Sequence, residues 1–265
     1  MKYAIVTGAS RGLGRLMVQE LVHQGYCVWG LARSEKELRE TQATLGDKIS
    51  QFLIQTCDLS EPENLQSLSP QLLKKTPNIH LVVHNAGIEH YQHYEDYDLS
   101  TLKKIQTVNL LAPMELTRLL ISTLKKNQGQ VISIASLAGK KGVVFNAPYS
   151  ATKAGLLLWA DALNQEFSGQ IRFSTLCPGF MDETGMYFDT KVGSVSFLLG
   201  TNSVAYFLKS FRQSLKTQPK EMIINKGPMR LLLSLAQLAP SLGDLVMKWL
   251  KIKQMNEKRI GLSRL

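Results

Sequence analysis

Lys2-Tyr3-Ala4-Ile5-Val6-Thr7 runs directly into Gly8-Ala9-Ser10-Arg11-Gly12-Leu13-Gly14. The first six residues are mostly apolar and do not alternate with polar ones, as in a strand buried on both faces of a parallel sheet. The glycines that follow let the backbone turn tightly. Leu13, Leu16, Met17 and Leu21 then recur at helical spacing. A strand, a glycine turn and a helix N-terminus, in that order, make a seat for a pyrophosphate. The free N–H groups and the helix dipole attract it. The spacing here is G-x-x-x-G-x-G, not G-x-G-x-x-G.

The same alternation continues outward. Apolar runs at Tyr26–Ala32, Gln51–Cys57, His80–His84, Gln130–Ala135, Arg172–Cys177 and Met222–Asn225 read as strands. Between them, Leu116, Leu119, Leu120 and Leu124 form one helical stripe, and Leu156, Trp159, Ala160, Leu163 and Phe167 form another. Strand and helix in turn predict a doubly wound α/β fold with a parallel sheet and right-handed crossovers. No internal repeat or low-complexity linker breaks the pattern, so residues 1–265 read as a single domain. Its core is 1–180. Met181–Phe197 mixes Gly, Asp, Thr and Ser with aromatics and reads as a loop or lid, and 181–228 is the substrate-side segment. A helix is expected over Asn202–Leu215. Two amphipathic helices follow, Met229–Ala239 and Ser241–Met255, parted by Pro240. Leu242, Leu245, Val246, Trp249 and Ile252 are expected on one face of the second. Residues 229–265 are thus a basic C-terminal extension.

Composition narrows the classes. The chain has 265 residues, 44% hydrophobic and 20% charged, an ordinary globular balance. Cys27, Cys57 and Cys177 are widely spaced with no C-x-x-C, which excludes a disulfide scaffold or zinc ribbon and favours a reducing compartment. The longest charge-free run, Val192–Leu208, carries Ser, Gly, Thr and Asn and is no membrane span. The N-terminus reads as a strand and not as a signal peptide, so the expectation is a soluble cytoplasmic protein. Net charge is +10, and Lys248–Leu265 holds six Lys and Arg against Glu257 alone. A solvated helix face explains such a tail; a nucleic-acid contact is disfavoured, because Trp249 is its only aromatic.

Four further places carry chemistry. Strand two ends in Arg33-Ser34 with no acid before Glu35. An NAD site usually has a carboxylate there; Arg33 and Arg11 instead suit the 2′-phosphate of NADP. Asp58-Leu59, after strand three, places a carboxylate where an adenine amino group could donate, or where a turn needs one. Asn85-Ala86-Gly87 puts small residues at the end of strand four. Finally, Ser136 ends strand five, Tyr149 follows thirteen residues later, and Lys153 lies one helical turn beyond. An ammonium beside a phenol favours phenolate, so Tyr149 would give its proton to a developing alkoxide near neutral pH.

With these motifs in this order, the chain resembles the short-chain dehydrogenase/reductase family in its NADP-type branch. The resemblance rests on Thr7-Gly8-x-x-x-Gly12-x-Gly14, Asn85-Ala86-Gly87, Asn109, Ser136, Tyr149-x-x-x-Lys153 and Pro178-Gly179. It implies a Rossmann-type sheet in order 3-2-1-4-5-6-7, with NADP(H) across its carboxyl edge. It implies Tyr149 as acid or base, Lys153 on the nicotinamide ribose, Ser136 on the substrate carbonyl and Asn109 holding a relay water. No metal is implied, so His80, His84, His90 and His93 read as structural or loop residues. The family's threonine falls four residues past the glycine, where this chain has Glu183; Thr184 is carried over as a cofactor residue through a one-residue shift. Two or four identical subunits would fit the family.

The extension has three readings: a wall of the substrate cleft, which is preferred, then an oligomer contact, then a surface lying on an anionic membrane. Tyr91, Tyr94 and Tyr97, with Phe180, Met181, Met186, Tyr187 and Phe188, suggest an apolar, aromatic-lined pocket. The expectation is an NADPH-dependent carbonyl reductase acting on a hydrophobic ketone such as a 3-oxoacyl group. The alternative is a non-catalytic NADP(H)-binding sensor or scaffold, which would leave Tyr149 without a task.

Overall fold

A computed structural model describes residues 1–189, 200–226, 229–249, 251–261 and 263–264. In chain order the elements are β1 (Lys2–Thr7), α1 (Gly12–His23), β2 (Tyr26–Ala32), α2 (Glu35–Ala43), β3 (Phe52–Thr56), α3 (Glu63–Lys75), β4 (Ile79–His84), β5 (Glu89–His90), α4 (Leu99–Gln106) and α5 (Ala112–Lys126). There follow β6 (Gln130–Ile134), α6 (Ala147–Glu166), β7 (Arg172–Pro178), α7 (Met186–Asp189), α8 (Val204–Thr217), β8 (Glu221–Ile224), α9 (Met229–Leu238), α10 (Pro240–Trp249), α11 (Ile252–Glu257) and β9 (Ser263–Arg264). Seven strands form one sheet in order β3-β2-β1-β4-β6-β7-β8, all pairs parallel. Counted within that sheet, the order is the 3-2-1-4-5-6-7 that the resemblance implied.

Side chains of a strand alternate between faces, and both faces of this sheet are covered. Ala4 and Val6 of β1 pack on one side with Met17 and Leu21 of α1 and Phe207 and Phe211 of α8. Ile5 points to the other side, against Leu65 and Leu72 of α3 and Leu116 and Leu120 of α5. Each of these side chains other than Ala4, fully buried, contributes roughly 1.5–3 kcal/mol. All the strands therefore present their carboxyl ends along one edge, where open α/β sheets bind ligands.

Three features were not anticipated. Between α4 and α5 the helix does not break but widens into a π turn at Thr107–Leu111, with Asn109 inside it and fully buried. The short strands β5 and β9 pair antiparallel, Glu89 opposite Arg264, and fasten the tail beside the end of β4. The expected single helix Ser241–Met255 is two, because Lys251 adopts a left-handed conformation (φ 53°) that an α-helix cannot continue through. Its expected apolar face is corrected accordingly. Ile252 is buried in α11, whereas Leu245 and Trp249 on α10 are 62% and 68% exposed. The side chains of Leu242, Val246 and Tyr187 lie outside the described residues, as does 190–199 of the expected lid. Among the described residues no helix is long and apolar enough to cross a membrane.

Candidate active site

One cleft of about 450 Å³ follows the carboxyl edge of the sheet. At one end the glycine turn is drawn tight: the Gly8 amide donates to Leu31 O of β2 (2.8 Å), and Gly8 and Gly12 have φ of 65° and 56°. Gly14 closes the turn beneath. A Cβ there would sit 1.9 Å from Gly8 O. Asn85 braces the turn, its amide donating to Thr7 O and Gly8 O (3.1 Å each), while Thr7 Oγ1 accepts from Asn85 N and Ala86 N. Asn85 thus ties β4 to the turn as well as lining the cleft.

Ser10, Arg11, Gly12, Leu13, Arg33, Ser34, Asp58, Leu59, Ala86 and Gly87 line this half of the cleft, as expected from sequence. Several of their side chains also serve the fold. Ser34 Oγ caps α2 by accepting from Glu37 N (3.2 Å). Asp58 Oδ1 accepts from Ser60 N and Oγ (2.9 and 2.8 Å). Burial pushes the Asp58 carboxyl up, but those bonds, with Arg33 and Lys104 nearby, hold it below its ordinary range. Glu37, which sequence reasoning passed over, also lines the cleft and accepts from Ser10 Oγ (2.9 Å). This half of the cleft therefore holds two guanidiniums and two carboxylates, each carboxylate already engaged by a serine hydroxyl. The tight turn, the free amides at the start of α1 and this basic pair fit a phosphorylated dinucleotide.

The catalytic candidates meet at the middle of the cleft. Ser136 follows β6, and its Oγ accepts from Ala138 N (3.1 Å). Pro148 opens α6, whose first turn carries Tyr149 and whose second carries Lys153. Both are buried, Lys153 at 3% exposure. Lys153 Nζ donates to Ile134 O (2.8 Å) and lies 5.4 Å from the Tyr149 ring centre. Burial lowers the Lys153 ammonium to about 8. Burial also raises the Tyr149 phenol above its ordinary value. Glu89 and Tyr91 add to that rise, while a hydrogen bond with Ser136 and the charge of Arg259 oppose it. The expected lowering of this phenol by Lys153 is thus corrected for the bare protein: desolvation outweighs it.

Asn109 does not line the cleft. From the π turn it accepts from Ile88 N (2.8 Å) and donates to Ile88 O (2.9 Å) and Thr152 Oγ1 (3.2 Å). It thereby clamps the strand end after Gly87 to α6. The Gly87 Cβ position is 3.5 Å from both Asn109 Oδ1 and Lys153 Nζ, so a side chain there would fall between them.

The remaining expectations divide. Tyr91, Phe180, Met181, Met186, Pro178 and Gly179 line the cleft. Tyr94 does not: it is 68% exposed, because the chain turns through a short 3-10 segment at Tyr94–Asp96. Phe188 is also exposed, at 46%. Thr184 lies outside the lining, 3.7 Å from the Gly12 Cβ position, and neighbouring Gly185 faces the cleft instead. Glu183 is occupied elsewhere, accepting from Val204 N at the start of α8 (2.9 Å). His84 is buried against Thr117 Oγ1 (2.8 Å) and held neutral, pushed down to about 3 by burial. Among the described residues no group of metal ligands gathers.

The far wall comes from the tail. Leu233 and Ile252 are buried with Leu137, Phe180, Met247 and Met255 in a small apolar cluster facing the cleft. Beside it Arg259, 2% exposed, stacks 4.1 Å from the Tyr91 ring centre, donates to Tyr91 Oη and pairs with Glu89 (3.4 Å). Sequence reasoning missed both Arg259 and Glu89. An arginine in a basic tail carries no local sign of burial.

The sequence profile of the short chain dehydrogenases matches residues 2–191. The chain belongs to this family. It is an oxidoreductase by that membership, and its relatives include a ketoacyl reductase, HetN, of a Nostoc species, 35% identical over 97% of this chain and 92% of the relative. A 3-oxoacyl-(acyl-carrier-protein) reductase of Haemophilus influenzae is 32% identical over 68% of this chain and 74% of its own. An alcohol dehydrogenase from Thermococcus sibiricus, solved with 5-hydroxy-NADP, shares the fold with a TM-score of 0.74 at 24% identity, covering 85% of this chain and 96% of that one. The family match thus spans Ser136, Tyr149 and Lys153, and the match to the Nostoc protein extends into the tail.

Proposed function

We propose that this short-chain dehydrogenase is an NADPH-dependent reductase of a hydrophobic ketone, with a 3-oxoacyl group as the substrate type. The carrying observation is a single cleft that joins a basic, glycine-turned half to an apolar half, with Ser136, Tyr149 and Lys153 at the junction. NADPH, when bound, supplies the hydride that goes to the carbonyl carbon. Gly8 to Gly14 and Arg11, Arg33 and Ser34 would hold it. Ser136 Oγ holds the carbonyl oxygen, and the Tyr149 hydroxyl gives that oxygen its proton as charge develops. Lys153 supplies positive charge next to the phenol, and Asn109 ties the Ile88 backbone to Thr152, the neighbour of Lys153 on α6. Relatives with ketoacyl reductase activity in their names support the substrate type.

The test is NADPH oxidation, followed by absorbance, with small diketones and 3-oxoacyl thioesters of increasing chain length. The apolar wall predicts kcat/KM rising by up to about fourfold per added methylene, the rate equivalent of ~0.8 kcal/mol, and NADPH preferred over NADH. Turnover confined to small polar ketones would remove the acyl reading. NADPH binding with no turnover on any member would favour the sensor.

The tail also supports a membrane-surface partner. Leu231, Leu235 and Leu238 share one face of α9 and are 64%, 40% and 84% exposed. Leu245 and Trp249 are exposed on α10, with Lys248 beside them at helical spacing. Two copies meeting here would oppose like charges, whereas anionic headgroups would neutralise Lys248, Lys251 and Lys253. Expected is sedimentation with phosphatidylglycerol vesicles, weakened by salt and lost in Leu238→Glu/Leu245→Glu, which should turn over soluble ketones normally. Equal binding of wild type and variant, or self-association without lipid, would exclude this partner.

A further inference from the structure

The tail does more than wall the cleft. Glu89 is 4% exposed at the end of the segment that Asn109 clamps; it lines the same cleft as Tyr149, and its charge bears on that phenol. Asn146 Nδ2, from the residue before α6, donates to it (3.3 Å), and Arg259 is its cationic partner. Arg259 is held in turn by the Tyr91 ring and hydroxyl, and the Gly261 amide donates to Tyr91 O (3.0 Å). Nearby, Asn256 donates to Val144 O (3.5 Å). A carboxylate this deep needs a cation, or it must take up a proton.

We propose that Arg259 is a positioning residue of the reductase: it carries the charge that neutralises Glu89 beside Tyr149 and thereby keeps Tyr149 an effective proton donor. The inference rests on the reductase reading. Among the described residues, the charged and titratable groups around Tyr149 are few. Lys153 stands on its own helix and Ser136 follows β6. Glu89 and Tyr91 come from the loop after β4, and Arg259 from the tail. Lys141, also lining the cleft, is paired with Asp244 (2.7 Å). Among the described residues, Arg259 pairs with Glu89. Its charge opposes the rise in the Tyr149 phenol that Glu89 promotes.

The sign follows directly. With the Arg259 charge removed, phenolate is disfavoured, Tyr149 becomes a weaker acid, and the high-pH loss of reduction moves upward. Arg259→Met is expected to move the alkaline limb of kcat up by about one pH unit and lower kcat at neutral pH about three- to tenfold. Arg259→Lys should keep the limb near wild type, since the charge remains. Glu89→Gln alone should move it down, and Glu89→Gln/Arg259→Met should return it toward wild type. The same titration read from the Cζ carbon of Tyr149 by NMR in the NADP-loaded protein, assigned with Tyr149→Phe, needs no substrate. Absent turnover would therefore sink the reductase reading without silencing this measurement. A titration unmoved in Arg259→Met, or displaced equally in Arg259→Met and the double variant, overturns the proposal.

Discussion

Tyr149→Phe is expected to lower kcat for ketone reduction by about 10²–10⁴-fold, the contribution of a positioned general acid. One oxygen is removed and the ring stays. Tyr149 is buried in the first turn of α6, so phenylalanine fills the same volume and the helix start is undisturbed. NADPH affinity and thermal midpoint should therefore hold while turnover is lost. Steady-state kinetics with a fluorescence titration of NADPH separates the two. Retention of more than about a tenth of wild-type kcat would be too much for a missing acid of this strength. It would move the proton donor to another phenol, and Tyr91, 4% exposed in the same wall, is the next one along the cleft.

Gly14→Ala should abolish NADPH binding and destabilise the chain by about 1–3 kcal/mol, as overpacking does. The reason is backbone geometry. The added carbon would sit 1.9 Å from Gly8 O and 2.6 Å from Asn85 Nδ2, the two groups that hold the turn closed. Neither is the loose end of a flexible side chain that can swing aside, so the turn itself must open. Calorimetric titration with NADPH and denaturant unfolding measure the two losses. Gly142→Ala is the matched control, because no atom lies within 4 Å of its added carbon. A Gly14→Ala protein that bound NADPH like wild type would mean that the turn is not where the pyrophosphate rests.

What the sequence disclosed was local. Strand β1, the glycine turn and the stripe of α1 lie within a few residues of one another, so their pattern needs no tertiary information. Tyr149 and Lys153 are one helical turn apart and are legible for the same reason. The Glu89–Arg259 pair is 170 residues apart in sequence, and only the fold-back of the tail brings it together. Nothing near Arg259 distinguishes it from the exposed lysines around it. Tyr91 and Tyr94 show the opposite failure. Equal spacing suggested equal roles, but the chain there is a loop and a 3-10 turn, which sends one ring inward and the other to solvent. Ser34, Asp58 and Asn85 line the cleft, yet each holds backbone groups of the protein itself, because a seat for a ligand must first be held rigid. The break at Lys251 left no sign in the hydrophobic pattern, since a single left-handed residue alters direction and not composition.

The π turn at Thr107–Leu111 also bears on how the gene can change length. Such a turn houses one residue more than regular α-helix requires. Losing a single codon there would let α4 and α5 merge into one unbroken helix at little cost in backbone hydrogen bonds. The flanking helices would keep their phase, because the wide turn had absorbed the extra residue. Asn109, which sits inside the wide turn, would lose the geometry that holds it on the Ile88 backbone. A deletion that regularises the helix would therefore disable the site, and the irregularity in this helix is the part that resists trimming.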